Sequence, residues 1–149
     1  MSKIVRTAAN LLFPFILIFG FYVIVHGHLT PGGGFQGGAV MATGLAMIIA
    51  AHNYERIQSA FKKDLLKTLE GTALVLFLTT AVSGFVVGKP FLTNWIVQAG
   101  GLFGGEPTVA GNLNTGGIIP LLNVFVGLEV LGALTLIVLT MLSGAKENS

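Results

Sequence analysis

The chain has 149 residues, of which 53% are hydrophobic and only 9% charged, with eight Lys and Arg, six Asp and Glu, and no Cys. A soluble domain carries about 25% charged residues, so a water-soluble globular enzyme is excluded. The missing thiols exclude a disulfide framework, thiolate zinc sites and Cys-ligated iron–sulfur clusters. The net charge of +2 needs no nucleic-acid partner, because basic residues flanking membrane spans account for it.

Four segments, 8–25, 31–52, 69–87 and 118–142, are almost free of charge. At 1.5 Å per residue each is long enough for a hydrocarbon core of roughly 30 Å. The pattern predicts an all-α membrane protein of four transmembrane helices, with the bilayer as its first partner and one integral membrane domain over 1–149. Helix 1 holds Pro14 and five aromatics and has no small-residue cleavage site after it, so it is read as a retained span and not a signal peptide.

Helix 1 leads into a glycine-dense turn, His26 to Gly38. Thr30 is a good N-cap and Pro31 suits the first helical position, which predicts that helix 2 starts there. Glycines in a first helical turn each cost about 1 kcal/mol against Ala, a cost tolerated where a backbone or a partner must approach closely. Gly32, Gly34 and Gly37 fit G-x-G-x-x-G, but the dinucleotide reading fails because the motif follows a membrane helix and not a strand. His26 and His28 lack a Cys or carboxylate nearby and make no metal site, and no cofactor is expected on this chain. His28 is either a structural histidine hydrogen-bonded in the turn or a proton relay.

Along helix 2, Gly34, Gly38, Ala42, Ala46 and Ala50 recur every fourth residue, a ridge on which another helix can approach closely. Between helices 2 and 3, Ile57, Phe61 and Leu65 recur at i, i+4, i+8 among basic residues, as in an interfacial helix or a solvated helix extension. In helix 3, Thr68, Thr72, Thr79 and Ser83 lie near one stripe and are expected to bond either to i−4 carbonyls or across to another helix.

Helices 3 and 4 are joined by 30 residues, 88–117, holding eight glycines with Phe91, Trp95 and Phe103. So long a connection is ordered only if it packs on something, and its aromatics favour packing at the membrane interface. Helix 4 carries Glu129, a carboxylate deep in an apolar span, which on insertion scales costs about 2.5 to 3.5 kcal/mol and ordinarily faces protein or water. Asn123 is a second polar group of this helix. Glu129, Asn123 and His28 are therefore the candidates for an ion or proton path.

Seven of the eight basic residues, all but Lys89, fall on one side of the predicted spans. The positive-inside rule makes that side cytoplasmic and places both termini there, in the cell membrane.

The run Gly27-His28-Leu29-Thr30-Pro31-Gly32-Gly33-Gly34-Phe35-Gln36-Gly37-Gly38 resembles the signature of the MnhB/MrpB family, the small B-type members of Mrp-type multisubunit sodium/proton antiporters and of membrane-bound hydrogenase-type respiratory complexes. The four-helix hydropathy agrees along nearly the whole chain. By this resemblance His28, Thr30, Pro31, Gly32, Gly33, Gly34, Phe35, Gly37 and Gly38 inherit the family motif. It implies a subunit, not catalytic alone, that assembles with small Mrp-type subunits and with antiporter-like subunits similar to those of respiratory complex I, with or without a hydrogenase-like peripheral arm. Many stand-alone members carry an acidic residue where this chain has Asn123. Here the carboxylate falls instead at Glu129, which leans towards the hydrogenase-linked branch. Two roles stay open: a subunit that lines the ion path, and a purely structural scaffold without ion contact.

Overall fold

A computed structural model describes residues 2–52, 57, 62–99 and 111–147. Every regular element among them is helical: α1 (Lys3–Val25), α2 (Gly34–Ala51), α3 (Lys63–Val86), the short α4 (Trp95–Ala99) and α5 (Ile119–Glu147). Of these, α1, α2, α3 and α5 are long and apolar enough to cross a membrane.

The helix starts explain where the boundaries depart from expectation. α1 begins at Lys3 and not near residue 8, because Ser2 caps it, its Oγ accepting from Val5 N at 3.4 Å. α2 begins at Gly34, three residues later than Thr30 and Pro31 predict. Thr30 serves the preceding helix instead: its N–H and its Oγ1 both donate to the His26 carbonyl, at 3.0 and 3.1 Å. Gly33 is the N-cap, at φ 90°, and caps without a side chain. α3 starts at Lys63, so 63–67 is an extension of the span and not a separate interfacial helix. Ile57 is buried and Leu65 is 67% exposed, so those two do not share a face. Phe61 lies outside the described residues.

The spans pack as a row: α1 on α2, α2 on α5 and α5 on α3, with a lighter α1 to α5 contact. α2 and α5 form the interior and the outer two present their large apolar side chains, such as Phe15, Ile18 and Phe21 of α1 and Val75, Phe85 and Val86 of α3. One end of the row is tied by His52 Nε2, which donates to Asn10 Oδ1 at 2.9 Å, and by Lys63 Nζ, which donates to Ser143 Oγ at 3.0 Å. Ile49, Ile57, Leu66 and Leu139 cluster at that end. The hydroxyls of Thr68, Thr72 and Thr79 turn back on the i−4 carbonyls of Asp64, Thr68 and Val75, the first of the two expected uses.

Candidate functional site

The small residues of α2 work on two faces, of which the fourfold spacing marks one. Gly34 and Gly38 meet α5: a Cβ added to Gly34 would come 3.0 Å from Asn123 Cα and one on Gly38 3.1 Å from the Gly127 carbonyl carbon, with the two carbonyl oxygens nearer still. Both helices advance by four residues between these contacts, so they run parallel, and their spacing puts glycine Cα–H groups against carbonyl oxygens. The second face carries Gly37 and Gly44. A Cβ on Gly37 would meet the Gly20 carbonyl oxygen at 2.7 Å, and one on Gly44 would meet Ile16 at 3.0 Å, so this face receives α1. The fourfold pattern does not single out Gly20 and Gly37 for this role. The i, i+3 offset between Gly34 and Gly37 is the available signal, masked by the more regular fourfold ridge. That ridge does not hold throughout: Gly34, Gly38 and Ala42 are buried, Ala46 is half-buried and Ala50 is exposed. At the far end α2 and α5 still meet through Ile49 and Leu139, while Ala46 and Ala50 line a surface groove of about 420 Å³ with Ile49, Val138, Met141, Leu142 and Ala145.

Two of the three candidate polar residues come together under the glycine turn. His28 lies against Gly116, which has Pro120 on its other side: a Cβ on Gly116 would be 3.2 Å from His28 Cδ2 and 3.4 Å from Pro120 Cδ. Asn123, one turn further along the Pro120 face of α5, lies against Gly27 and Gly33; Cβ atoms there would be 2.9 Å from its Nδ2 and 3.5 Å from its Oδ1. The hydrogen-bonded histidine of the turn is His26, whose Nδ1 donates to the Tyr22 carbonyl at 3.1 Å. His28 Nδ1 and Nε2 and Asn123 Nδ2 are buried and make no hydrogen bond of normal geometry. Burial, then the neighbouring His26, pushes the His28 pKa below its ordinary 6.5, against the weaker opposing pull of the Val25 and Leu113 backbones. Of the remaining motif residues, Thr30, Pro31 and Gly32 are exposed in the turn, and Phe35 is 59% exposed.

The long connection supplies the frame of this site. Asn94 Nδ2 donates to the Gly116 carbonyl at 2.9 Å while its Oδ1 accepts from Ile118 N at 3.0 Å, so one amide holds the turn that opens α5. The adjacent Gly117 has φ 63° and leaves no space for a Cβ beside Asn94. Trp95 Nε1 donates to Ser83 Oγ at 2.8 Å, and the Phe85 and Phe91 rings are 6.2 Å apart, so the described part of the connection packs on α3. Phe103 lies outside the described residues.

Glu129 stands apart from His28 and Asn123. It is half-buried, ten residues into α5, which places it about 15 Å along the helix. One turn on, a Cβ at Gly132 would sit 3.4 Å from Glu70 Cβ of α3. No cation neutralises Glu129 among the described residues, and no cluster of three or more His, Cys, Asp or Glu is present among them.

A family model described as a domain related to the MnhB subunit of a Na+/H+ antiporter matches residues 4–136. The B-type subunit of the Na+/H+ antiporter of Bacillus subtilis is 35% identical over 91 residues, 61% of this chain and 63% of the relative. An uncharacterized protein of Methanocaldococcus jannaschii is 34% identical over 116 residues, 78% of this chain and 43% of the relative. Among solved structures, a chain of the membrane-bound sulfane sulfur reductase, an archaeal respiratory membrane complex, superposes with a TM-score of 0.79 at 35% identity, over 95% of this chain and 58% of that chain. This chain thus matches less than two thirds of the length of each of these three relatives. The turn from His28 to Gly38, the four spans and a family match running from the start of α1 well into α5 agree, and the chain belongs to the MnhB family.

Proposed function

We propose that the protein is an integral subunit of a multisubunit cation/proton antiporter-type module, exchanging Na+ and H+ in company with antiporter-like membrane subunits. The observation that carries this reading is Glu129. A carboxylate at mid-span with no neutralising group among the described residues of its own chain calls for a partner outside it, because burying an unpaired charge is costly. The names of the B. subtilis relative and of the matching family support the antiporter assignment.

The likeness to a respiratory membrane complex favours a redox-driven parent assembly over a stand-alone antiporter. On this reading the end of the row bearing Lys3, Arg6, Lys62, Lys63 and Lys67 is cytoplasmic, both termini included, and the glycine turn faces outward. A scaffold role without ion contact is the second reading, supported by the close glycine contacts of α2 with both α1 and α5.

Purification of the native assembly through a tag on this chain tests the module. Companion antiporter-like subunits are expected, joined by a redox arm if the parent is redox-driven. Recovery of this chain alone from mildly solubilised membranes overturns the proposal.

A further inference from the structure

Three buried side-chain nitrogens lie between the glycine turn and the start of α5. Buried side-chain nitrogens in native proteins are nearly always paired with protein or with ordered water, yet His28 Nδ1, His28 Nε2 and Asn123 Nδ2 make no hydrogen bond of normal geometry, the Val25 and Leu113 backbones lying beside the imidazole without completing one. They are close neighbours in the fold. Gly27, covalently joined to His28, is the residue whose Cβ would press on Asn123 Nδ2, while Pro120, which flanks His28 across Gly116, shares one face of α5 with Asn123 three residues on. We propose that His28 and Asn123 share a small, neutral, hydrogen-bonding ligand, water, and that the underside of the turn is a hydrated site built between two otherwise dry helix contacts.

The chemistry of the atoms chooses the ligand. A neutral imidazole offers one donor and one acceptor, and the amide nitrogen is a donor; water, which can both give and accept, bridges the amide to one ring nitrogen, while the other ring nitrogen points away and takes a water of its own. A bare cation does not fit, since residues 111–124, Gly27 and Gly33 carry no carboxylate to neutralise it and His26 adds positive charge when protonated. The glycines then have a second role: Gly27, Gly33 and Gly116 keep side chains out of the space around the three nitrogens. If the module reading holds, this site is a water-linked station for protons at the outward end of the seam between α2 and α5.

Two measurements on the assembled complex test it, neither of which depends on transport. The first is a double-mutant cycle on thermal melting with His28→Leu and Asn123→Leu. Each single change leaves the other residue's nitrogen buried with one fewer route to a partner and lowers the melting temperature; the double variant removes both and falls no further than the worse single. Losses that add, or two silent singles, overturn the shared ligand. Should either variant fail to assemble, radiolytic hydroxyl-radical labelling of the wild-type complex and of an Asn123→Ser variant decides. His28 is half-buried with both ring nitrogens out of reach of solvent, and radicals born on a bound water mark its ring at a rate that drops in Asn123→Ser. Protection of His28 in the wild-type complex, or labelling indifferent to Asn123, overturns the proposal.

Discussion

Gly38 and Gly127 touch backbone to backbone: a Cβ on Gly38 would lie 3.1 Å from the Gly127 carbonyl carbon. The obstacle is main chain inside a helix, which cannot rotate away as a side chain could. Gly34→Ala and Gly38→Ala should therefore each destabilise the seam by about 1–3 kcal/mol, the usual cost of overpacking. Gly71 provides the contrast, because a Cβ there meets nothing within 4 Å, and Gly71→Ala should gain up to about 1 kcal/mol of helix propensity. Melting of the purified complex, with subunit content measured alongside, checks all three. Equal tolerance at Gly38 and Gly71 would refute the close-contact account.

Asn94 tests whether the long connection is structural. Its amide both donates to Gly116 and accepts from Ile118, so Asn94→Ala removes two bonds at the start of α5. The expected loss is about 1–2 kcal/mol, as for a helix cap. Asn94→Asp retains the acceptor but sets a carboxylate oxygen against the Gly116 carbonyl, which should cost at least as much as Asn94→Ala. Hydrogen exchange at the Ile118 amide reports the local effect; unchanged protection in Asn94→Ala would count against the capping role.

The four spans and the family motif are legible in the sequence because hydropathy and glycine density are local signals. The start of α2 is not, since Thr30 has an alternative acceptor in the His26 carbonyl that only the folded turn presents. That His28 and Asn123 lie at the same end of the fold is equally hidden: they are 95 positions apart in the chain, and their placement depends on how α5 passes the turn. The ridge on α2 holds at Gly34, Gly38 and Ala42 and fails at Ala50, because periodicity says which residues share a face but not how far along it a neighbouring helix covers them. Nothing local in the sequence distinguishes Gly20 from the other small residues of α1.

His28 gives a pH dependence with a definite sign. Its pKa in the folded protein lies below the ordinary 6.5, so the unfolded turn binds more protons than the folded one between those two values. Stability is then full above about pH 6.5, declines as pH falls through the window below it, and levels off beneath the folded pKa. The ionisable group facing His28 is His26, and no ionisable side chain occurs in residues 111–124. Exchange of the Gly27 to Gly33 amides, corrected for intrinsic rates, should show less protection at about pH 5.5 than at about pH 7.5. His28→Gln should abolish most of that difference, and an undiminished pH response in the variant would remove His28 as its source.

Glu129 separates ion traffic from packing. Gln keeps the shape and most of the hydrogen bonding of the carboxyl group while abolishing titration; Ala removes both. If the carboxylate takes part in cation or proton movement, Glu129→Gln leaves the complex intact and lowers sodium-dependent proton movement severalfold in proteoliposomes containing the whole assembly. If Glu129 is a neutral structural acid bonded to a neighbouring subunit, Gln is nearly silent while Ala costs about 1–3 kcal/mol through an unsatisfied partner, visible as lost subunits or early melting. The Gly132 contact sharpens the comparison. α3 approaches α5 there through Leu66 and Glu70, so Glu70→Gln is the control for a general loss of negative charge near this crossing. A transport defect in Glu129→Gln that Glu70→Gln does not share assigns the effect to Glu129 itself. Wild-type exchange in Glu129→Gln, with subunit content unchanged, would leave the scaffold reading as the one supported.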